Sequence, residues 1–255
     1  MLRYEADGGR ATITIDDPDR LNPLSNQTMR DLTAALQAAA ADDAVRVIVI
    51  TGAGNQAFSA GGDLSGGFVD APLADHGDRG ALADLFRALR RSGKPVVARV
   101  NGHALGGGFG LAAACDIVVA ADTATLGTPE IRVGLWPMMI TAVLMAIVPR
   151  RALLELMLTG RRLSAGEACD LGIVNRVVSP DELDEAVDML VADLLGKSPA
   201  ALTLGKQAFY AVADLDFDSA LDHLHGGLTA IAMTADAVEG VAAFGEKREP
   251  QWRGR

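Results

Sequence analysis

The stretch PVVARVNGHALGGGFGLAAAC, residues 95–115, decides the fold. It opens with a β-branched run, Pro95–Val100, which predicts a buried strand. A glycine-rich turn from Asn101 to Gly110 follows and leads into the apolar segment Leu111–Cys115. Glycine at a strand-to-helix turn lets the backbone approach a neighbour closely and leaves N–H groups free to donate. The stretch therefore predicts a strand, a tight turn and a helix, which is the building unit of an α/β fold.

The same alternation extends over the first 178 residues. Further β-branched runs are Ala11–Ile15, Val45–Thr51, Asp116–Ala120 and Ile173–Val178. Apolar residues with helical spacing lie between the runs, and two such sets are Met29, Leu32 and Leu36, and Leu82, Leu85, Phe86 and Leu89. Strands that alternate with helices predict an α/β protein with largely parallel strand pairing.

Helix starts are clearly marked in the second half of the chain. Ser164–Glu167 and Ser179–Glu182 both have the pattern of a capping box, and Ser198 precedes a proline that opens another helix. From Ser179 onward the sequence has only helical patterns. We therefore expect an α/β core over residues 1–195 and a C-terminal helical region over residues 196–255.

Composition narrows the class of protein. The 255 residues are 49% hydrophobic and 22% charged, as in an ordinary globular protein. The net charge of −10 argues against a nucleic-acid partner, because phosphate neutralisation needs clustered Lys and Arg. Two cysteines without a CxxC spacing predict neither a disulfide framework nor a metal site. With no signal-peptide pattern and no apolar run of the roughly 20 residues that span a bilayer, we expect a cytoplasmic protein without a membrane partner.

Two glycine-rich turns are candidates for a binding site. One runs from Thr51 to Leu64, and the other is the turn of residues 101–110. The first lacks the spacing of a dinucleotide site, and the chain has no phosphate-binding P-loop pattern. The two turns either pack tightly or each donate one N–H to one oxygen, as an oxyanion hole requires.

Glu130 is the candidate acid–base residue. It follows Pro129 among apolar neighbours, where a loop should meet a helix start. A first-turn carboxylate favoured by the helix dipole is one interpretation. A partly desolvated general base with a raised pKa is the other.

Read together, the segments resemble the crotonase (enoyl-CoA hydratase/isomerase) superfamily, essentially from end to end and in order. The matching stretches are VRVIVITG (45–52), AFSAGGDL (57–64), NGHALGGG (101–108), CD (115–116), PE (129–130), LTG (158–160), GIVN (172–175), EGVAAF (239–244) and EKREP (246–250). The resemblance implies a spiral of ββα units with a C-terminal helical trimerisation region, and a homotrimer or a hexamer.

The resemblance also implies a site for an acyl-CoA thioester, with CoA as part of the substrate and no other cofactor or metal. The backbone N–H groups of Gly62 and Gly107 would form the oxyanion hole, and Glu130 would transfer protons. Positions expected to border the substrate are Arg20, Leu21, Pro23, Ala60, Asp63, Leu64, Leu105, Gly110, Pro129 and Val133.

One departure from the family pattern concerns Gly110. Many family hydratases carry a first glutamate there and a second at the position of Glu130. A single glutamate is the pattern of the family's double-bond isomerases, so 3,2-enoyl-CoA isomerisation is favoured slightly. Single-glutamate hydration and an acyl-CoA-binding protein without catalysis remain alternatives.

Two segments lack a firm interpretation from sequence. The segment Ser65–Gly80 carries four glycines and is either an exposed loop or a lid. Trp136, Met138 and Met139 stand where many members have a glycine-rich stretch, and they either reshape the acyl pocket or pack a helix start. The four histidines show no ligand spacing and are expected to be structural.

Overall fold

A computed structural model describes residues 1–63, 70, 73 and 75–254. The strands are β1 (Leu2–Asp7), β2 (Arg10–Ile15), β3 (Val47–Gly52), β4 (Ala57–Ser59), β5 (Val96–Val100), β6 (His103–Leu105), β7 (Ile117–Ala121), β8 (Thr125–Gly127), β9 (Arg162–Ser164) and β10 (Arg176–Val178). The α-helices are α1 (Asn26–Ala41), α2 (His76–Arg79), α3 (Ala81–Arg91), α4 (Gly107–Ala114), α5 (Met138–Leu144), α6 (Arg150–Thr159), α7 (Ala165–Asp170), α8 (Leu183–Leu195), α9 (Pro199–Ala211), α10 (Phe217–Ala232) and α11 (Ala235–Glu246). Short 3-10 helices span Pro18–Arg20, Pro129–Val133 and Pro180–Glu182.

The strands form two sheets that repeat one pattern. The large sheet has the order β1-β2-β3-β5-β7-β10, and the small sheet has the order β4-β6-β8-β9. Only the β1–β2 and β8–β9 pairs are antiparallel among the described strands. Each of β3, β5 and β7 is followed by a short strand that joins the small sheet in the same relative order. The chain thus winds as a spiral of ββα units, as expected.

Helices α1 and α3 cover one face of the large sheet. The predicted apolar faces are confirmed, because Met29, Leu32 and Leu36 of α1 and Leu82, Leu85 and Leu89 of α3 are buried. Phe86 is partly buried against the same core. Burying one aliphatic side chain of this size contributes about 1.5–3 kcal/mol to folding. This packing fixes α3 beside the turn that opens α4.

The opposite face of the large sheet packs on α8. Val47 and Val49 of β3 belong to this second apolar cluster, together with Val187 of α8. Val187 is fully buried. Because β3 has buried side chains on both faces, it is a central strand of a covered parallel sheet.

The predicted capping boxes are confirmed at both serines. Ser164 accepts the N–H of Glu167, whose carboxylate accepts the Ser164 N–H at 2.8 Å. Ser179 and Glu182 form the second box. Ser198 caps α9 by accepting the Ala201 N–H at 3.0 Å. These caps satisfy donors that a helix start leaves without partners.

Some predicted boundaries are wrong. The last strand begins at Arg176 rather than at Ile173. Ile173 and Val174 lie in a turn instead, because the N–H groups of both residues donate to the Ala168 carbonyl. Sequence patterns also missed β1, β4, β6, β8 and β9. The last four contain three residues each, too few for an alternating pattern to show.

Half of the segment Ser65–Gly80 lies outside the described residues, and so does the lid hypothesis. Its described part contains α2, one helical turn rather than a loop. Asp78 of this turn pairs with Arg30 of α1.

The C-terminal region is helical, and polar contacts join it to the core and hold its own segments together. Lys206 of α9 donates to Asp116 at 2.7 Å and to the Leu89 carbonyl of α3 at 3.1 Å. Asp236 of α11 is 1% exposed and accepts the Ser198 hydroxyl at 2.7 Å. Across the part of the chain that is described, no single helix is long and apolar enough to cross a membrane. The pair α10 and α11, bent by 72°, meets that criterion only when both helices are taken together.

Candidate active site

Gly62 lies in an extended segment that pairs with the chain before α1. The Leu24 N–H donates to the Gly61 carbonyl at 2.8 Å, and the Asp63 N–H donates to the Leu24 carbonyl at 3.2 Å. Gly62 therefore stands opposite Leu24 in a parallel bridge. In such a bridge the flanking residues bond to the partner, so the N–H of Gly62 itself points away from Leu24.

Gly107 is the first residue of α4, directly after a left-handed turn at Gly106. Its N–H is one of the helix-start donors that have no partner inside the helix. Gly106 has φ +51° and donates to the Gly127 carbonyl of β8 at 2.8 Å. The turn therefore directs the start of α4, with its positive dipole end, toward the end of the small sheet.

The two predicted oxyanion-hole glycines lie next to each other. A Cβ placed on Gly107 would stand 3.6 Å from the Gly62 nitrogen. A Cβ on Gly61, which has φ +96°, would stand 3.3 Å from the Gly107 nitrogen and 2.5 Å from the Leu105 carbonyl oxygen. Within the described ranges neither the Gly62 nor the Gly107 N–H has an acceptor. Two free donors this close together can bind one oxygen.

Glu130 belongs to the 3-10 helix Pro129–Val133, which the proline opens. Its side chain is partly buried, and its Oε2 has no hydrogen-bond partner among the residues described. Loss of solvent raises the pKa of Glu130 above the ordinary value for glutamate, since burial disfavours the charged form. A carboxylate in this state is a stronger base than an exposed one.

The Glu130 carboxylate reaches the turn that opens α4. Its Oε1 lies 2.9 Å from the point where a Cβ on Gly106 would stand. The positive φ of Gly106 favours glycine, and a Cβ at this position would displace the Glu130 carboxylate. The Glu130 carboxylate therefore lies beside Gly106, the residue that directly precedes the Gly107 donor.

Gly110 lies one turn further along α4, in apolar surroundings. A Cβ on Gly110 would meet Ile140 Cγ1 and Phe86 Cζ, each at 2.9 Å. Gly110 and Ile140 are buried, and Phe86 is partly buried. Two apolar side chains therefore occupy the direction in which a side chain at Gly110 would extend. Phe86 was assigned from sequence to a helix core, and no sequence signal pairs it with Gly110.

The predicted substrate-lining residues fall into two groups around this centre. Leu21 and Ala60 are joined by the Ala60 N–H, which donates to the Leu21 carbonyl at 2.8 Å. Arg20 and Asp63 form an ion pair of 2.8 Å. The first group, on the side of Gly62, is Arg20, Leu21, Pro23, Ala60, Asp63 and Leu105. The second, on the side of Glu130 and α4, is Pro129, Val133 and Gly110.

The substrate contacts of these residues stay predictions. Leu105 is 8% exposed, whereas Val133 is 61% exposed. Leu64 lies outside the described residues.

The bulky residues after Gly134 were expected either to reshape the acyl pocket or to pack a helix start, and they differ in burial. Trp136 and Met139 are half-buried against the main core, as expected if they pack a helix start. Met138, at the first position of α5, is 73% exposed and therefore does not pack against the core. His103, expected to be structural, hydrogen-bonds through Nδ1 to the Thr125 hydroxyl at 2.9 Å.

No group of three or more His, Cys, Asp or Glu side chains could hold a metal ion in the described ranges. Cys115 is buried, and burial raises the pKa of its thiol. It is a small core residue rather than a nucleophile.

Comparison with known proteins identifies the family. The sequence model of the enoyl-CoA hydratase/isomerase family matches residues 5–255. A carnitinyl-CoA dehydratase from Salmonella arizonae is 37% identical over 99% of this chain and 98% of its own length. An enoyl-CoA hydratase structure from Mycobacterium smegmatis superposes with a TM-score of 0.95 at 35% identity, covering 98% of each chain. One from Geobacillus kaustophilus gives 0.93 at 39% identity, covering 100% of this chain and 98% of that one.

The superpositions confirm the predicted fold class, and the sequence matches extend over the complete α/β core and the C-terminal helices. The chain is an enzyme that belongs to the enoyl-CoA hydratase/isomerase family of the crotonase superfamily.

Proposed function

We propose that the enzyme moves a double bond within an acyl-CoA thioester, converting a 3-enoyl-CoA into a 2-enoyl-CoA. The observation that carries this proposal is one partly buried carboxylate, Glu130, with an unpartnered oxygen beside two free backbone donors. The donors of Gly62 and Gly107 bind the thioester oxygen, and Glu130 faces the carbon next to the carbonyl.

The reaction needs one base and one electrophilic site. The Glu130 carboxylate removes a proton from C2, and the C–H electron pair moves into a dienolate whose negative charge rests on the thioester oxygen. The protonated Glu130 then returns the proton to C4, the double bond forms between C2 and C3, and the carbonyl is restored. Each N–H of an oxyanion hole contributes about 3 kcal/mol to stabilising such a charge.

The surroundings of Gly110 support isomerisation over hydration. Addition of water across a double bond by two carboxylates needs a second acid at this position. Phe86 and Ile140 fill it instead. An apolar wall also keeps water away from the dienolate, so that the proton on Glu130 is retained for C4.

Hydration, or its reverse, dehydration, is the second candidate. It is favoured by the relatives, since proteins named carnitinyl-CoA dehydratase and enoyl-CoA hydratase are 35–39% identical to this chain. In this alternative Glu130 alone handles the water. A third candidate is an acyl-CoA-binding protein that lacks catalysis.

Proton NMR in D₂O distinguishes the three candidates. The purified protein is incubated with 3-hexenoyl-CoA and, separately, with crotonyl-CoA. We expect conversion of the 3-enoyl thioester to the 2-enoyl thioester and no 3-hydroxyacyl product from crotonyl-CoA. Rapid formation of 3-hydroxybutyryl-CoA would replace the isomerase proposal by hydration, and no change in either substrate would favour the binding protein.

The C-terminal helices support a homotrimer, or a hexamer built from two trimers. Large apolar side chains on α10 and α11 are exposed, among them Phe217 at 75%, Val241 at 76% and Phe244 at 88%. Exposed apolar area of this kind marks a protein–protein contact. We expect sedimentation at trimer or hexamer mass and a smaller species for Phe244→Glu. A wild-type protein that sediments as a monomer would contradict this assembly.

We propose no resident cofactor or metal, with CoA carried by the substrate.

A further inference from the structure

The turn at Leu21 and Asn22, which precedes the Gly62 partner Leu24, has unfavourable backbone dihedral angles. Leu21 has φ 61° and Asn22 has φ 54°, so two consecutive residues with side chains adopt the left-handed region. Asparagine tolerates this region, but leucine does so rarely. Such a conformation persists only where the surrounding structure holds it, and it concentrates at functional sites.

The Asn22 side chain is what holds the turn. It is fully buried. Its Nδ2 donates to the carbonyls of Ala57 at 2.7 Å and Ala53 at 3.0 Å, and its Oδ1 accepts the Asp17 N–H at 3.0 Å. The carboxamide thus joins the turn to the loop between β3 and β4, with both donors and the acceptor in use.

The turn that Asn22 holds sets the position of Leu21 and Leu24, which pair with the segment around Gly62. The Leu21 carbonyl accepts the Ala60 N–H at 2.8 Å, and Leu24 bonds on both sides of Gly62. These bonds direct the Gly62 N–H away from Leu24 and toward the start of α4. A shift of the turn would therefore rotate this N–H relative to Gly107.

We infer that Asn22 is a positioning residue of the oxyanion hole, which acts through Leu21–Leu24 on the direction of the Gly62 N–H. The inference rests on the proposed function in one respect, namely that Gly62 binds the thioester oxygen. It does not depend on whether the reaction is isomerisation or hydration.

The test variant is Asn22→Gly, which keeps the left-handed backbone accessible while it removes the three side-chain hydrogen bonds. A matched control is Val187→Ala, which removes buried volume on the far face of the large sheet. Both variants lower stability, and their melting temperatures are measured so that activity is compared at equal folded fractions. Asn22→Ser, which retains one hydroxyl donor, replaces Asn22→Gly if the latter does not fold.

The decisive readout is the enolate of bound acetoacetyl-CoA. This β-ketothioester loses its C2 proton readily, and oxyanion donors favour the enolate, which is seen by its ultraviolet absorption. We expect Asn22→Gly to weaken the enolate signal and to lower kcat about tenfold to a hundredfold, with KM changed less than about threefold. Binding of a saturated acyl-CoA should stay nearly unchanged. Val187→Ala should keep both the enolate signal and kcat.

If Asn22→Gly retains the enolate signal and the kcat of Val187→Ala, the residue is only structural and the inference is wrong. If the wild-type protein binds acetoacetyl-CoA without any enolate signal, the proposed oxyanion hole itself fails, together with this inference. A loss of saturated acyl-CoA affinity equal to the loss of kcat would also overturn it, because that pattern indicates general damage to binding.

Discussion

Two glycines at the start of α4, Gly106 just before the helix and Gly110 one turn further on, stand in opposite environments. Gly106 meets the Glu130 carboxylate, whose Oε1 lies 2.9 Å from the position of an added Cβ. Gly110 meets Phe86 and Ile140 at the same distance. One glycine makes room for a charged group that has lost solvent, and the other is covered by hydrocarbon. The first side has the features of a reaction centre and the second those of a core.

The contrast supports the proposal that one carboxylate is sufficient. Charge is kept to the Glu130 side, where the Gly62 and Gly107 donors can stabilise an enolate. The Gly110 side has no polar atom among the three nearest to an added Cβ, so it favours retention of the proton over entry of water. Changing either side should therefore change the reaction in a different way.

Glu130→Gln breaks the charged side and should have the largest effect. The amide cannot take up the proton, so kcat should fall by about 10³–10⁴-fold, the upper range for general acid–base catalysis. Affinity for a saturated acyl-CoA should persist, because the amide has the size and shape of the carboxylate and binding itself requires no proton transfer. Steady-state rates with 3-hexenoyl-CoA and calorimetric titration measure the two quantities. Unchanged turnover would remove Glu130 from the mechanism.

Gly106→Ala should move the carboxylate without removing it. The new methyl would stand 2.9 Å from Glu130 Oε1, and the φ of +51° is unfavourable for alanine. We expect kcat to fall by about tenfold to a hundredfold, as misplacement of a catalytic group by about 1 Å does. Gly166→Ala is the control, because nothing lies within 4 Å of its Cβ and its φ is not positive. Equal kinetics for the two variants would show that Gly106 does not control the carboxylate.

Gly110→Glu tests the hydrocarbon side. Alone it should lower the unfolding free energy by about 3 kcal/mol and produce no hydratase activity, because the carboxylate collides with Phe86 and Ile140. Combined with Phe86→Ala and Ile140→Ala it gains space, and 3-hydroxybutyryl-CoA should form from crotonyl-CoA. Urea denaturation and product NMR measure the two effects. The Phe86→Ala, Ile140→Ala double variant is the control. If this control hydrates crotonyl-CoA, the bulk of Phe86 and Ile140 alone prevents hydration and a second carboxylate is not needed.

Local sequence signatures predicted the elements on the charged side of this comparison, whereas the roles of Glu130, Gly62 and Gly107 came from the resemblance to the family. A proline before Glu130 marks a helix start, and glycines after a strand mark the turns of Gly62 and Gly107. Strands β2, β3, β5 and β7 followed from β-branched runs, and the faces of α1 and α3 followed from apolar periodicity. Burial of the carboxylate did not, since it depends on how β8 and α4 meet in space.

The hydrocarbon side could not be predicted, because its residues are far apart in sequence. Phe86, Gly110 and Ile140 belong to three helices, and each taken alone has the pattern of ordinary core packing. Asn22 is likewise a turn residue in sequence, and its buried hydrogen bonds reach Ala53 and Ala57 across the fold. Local patterns identify elements, whereas these contacts depend on their assembly.

The smallest expected effect is the change in stability that Glu130→Gln causes on the charged side of α4. Burial raises the pKa of Glu130 in the folded protein, so its ionised form is less favourable there than in the unfolded chain. Below the unfolded pKa, ordinarily about 4.3, both states are protonated and the cost is absent. The cost grows as the pH rises from that value through the folded pKa and is complete above it. Glu130→Gln should therefore raise the melting temperature at pH 7–8 by about 2 °C or more, with no gain near pH 4.

The same ionisation sets the pH dependence of activity. Because the base must be ionised, kcat/KM should rise with pH through the raised pKa, and its acid limb should lie above that of an exposed glutamate. In thermal melts from pH 4 to pH 8, the gain of Glu130→Gln over the wild type should level off above the pKa that sets the midpoint of the kcat/KM profile. Gly166→Ala should shift melting equally at every pH. A gain for Glu130→Gln that does not vary with pH would show that Glu130 ionises as an exposed residue does, and the distinction between the two sides of α4 would then be one of shape rather than of charge.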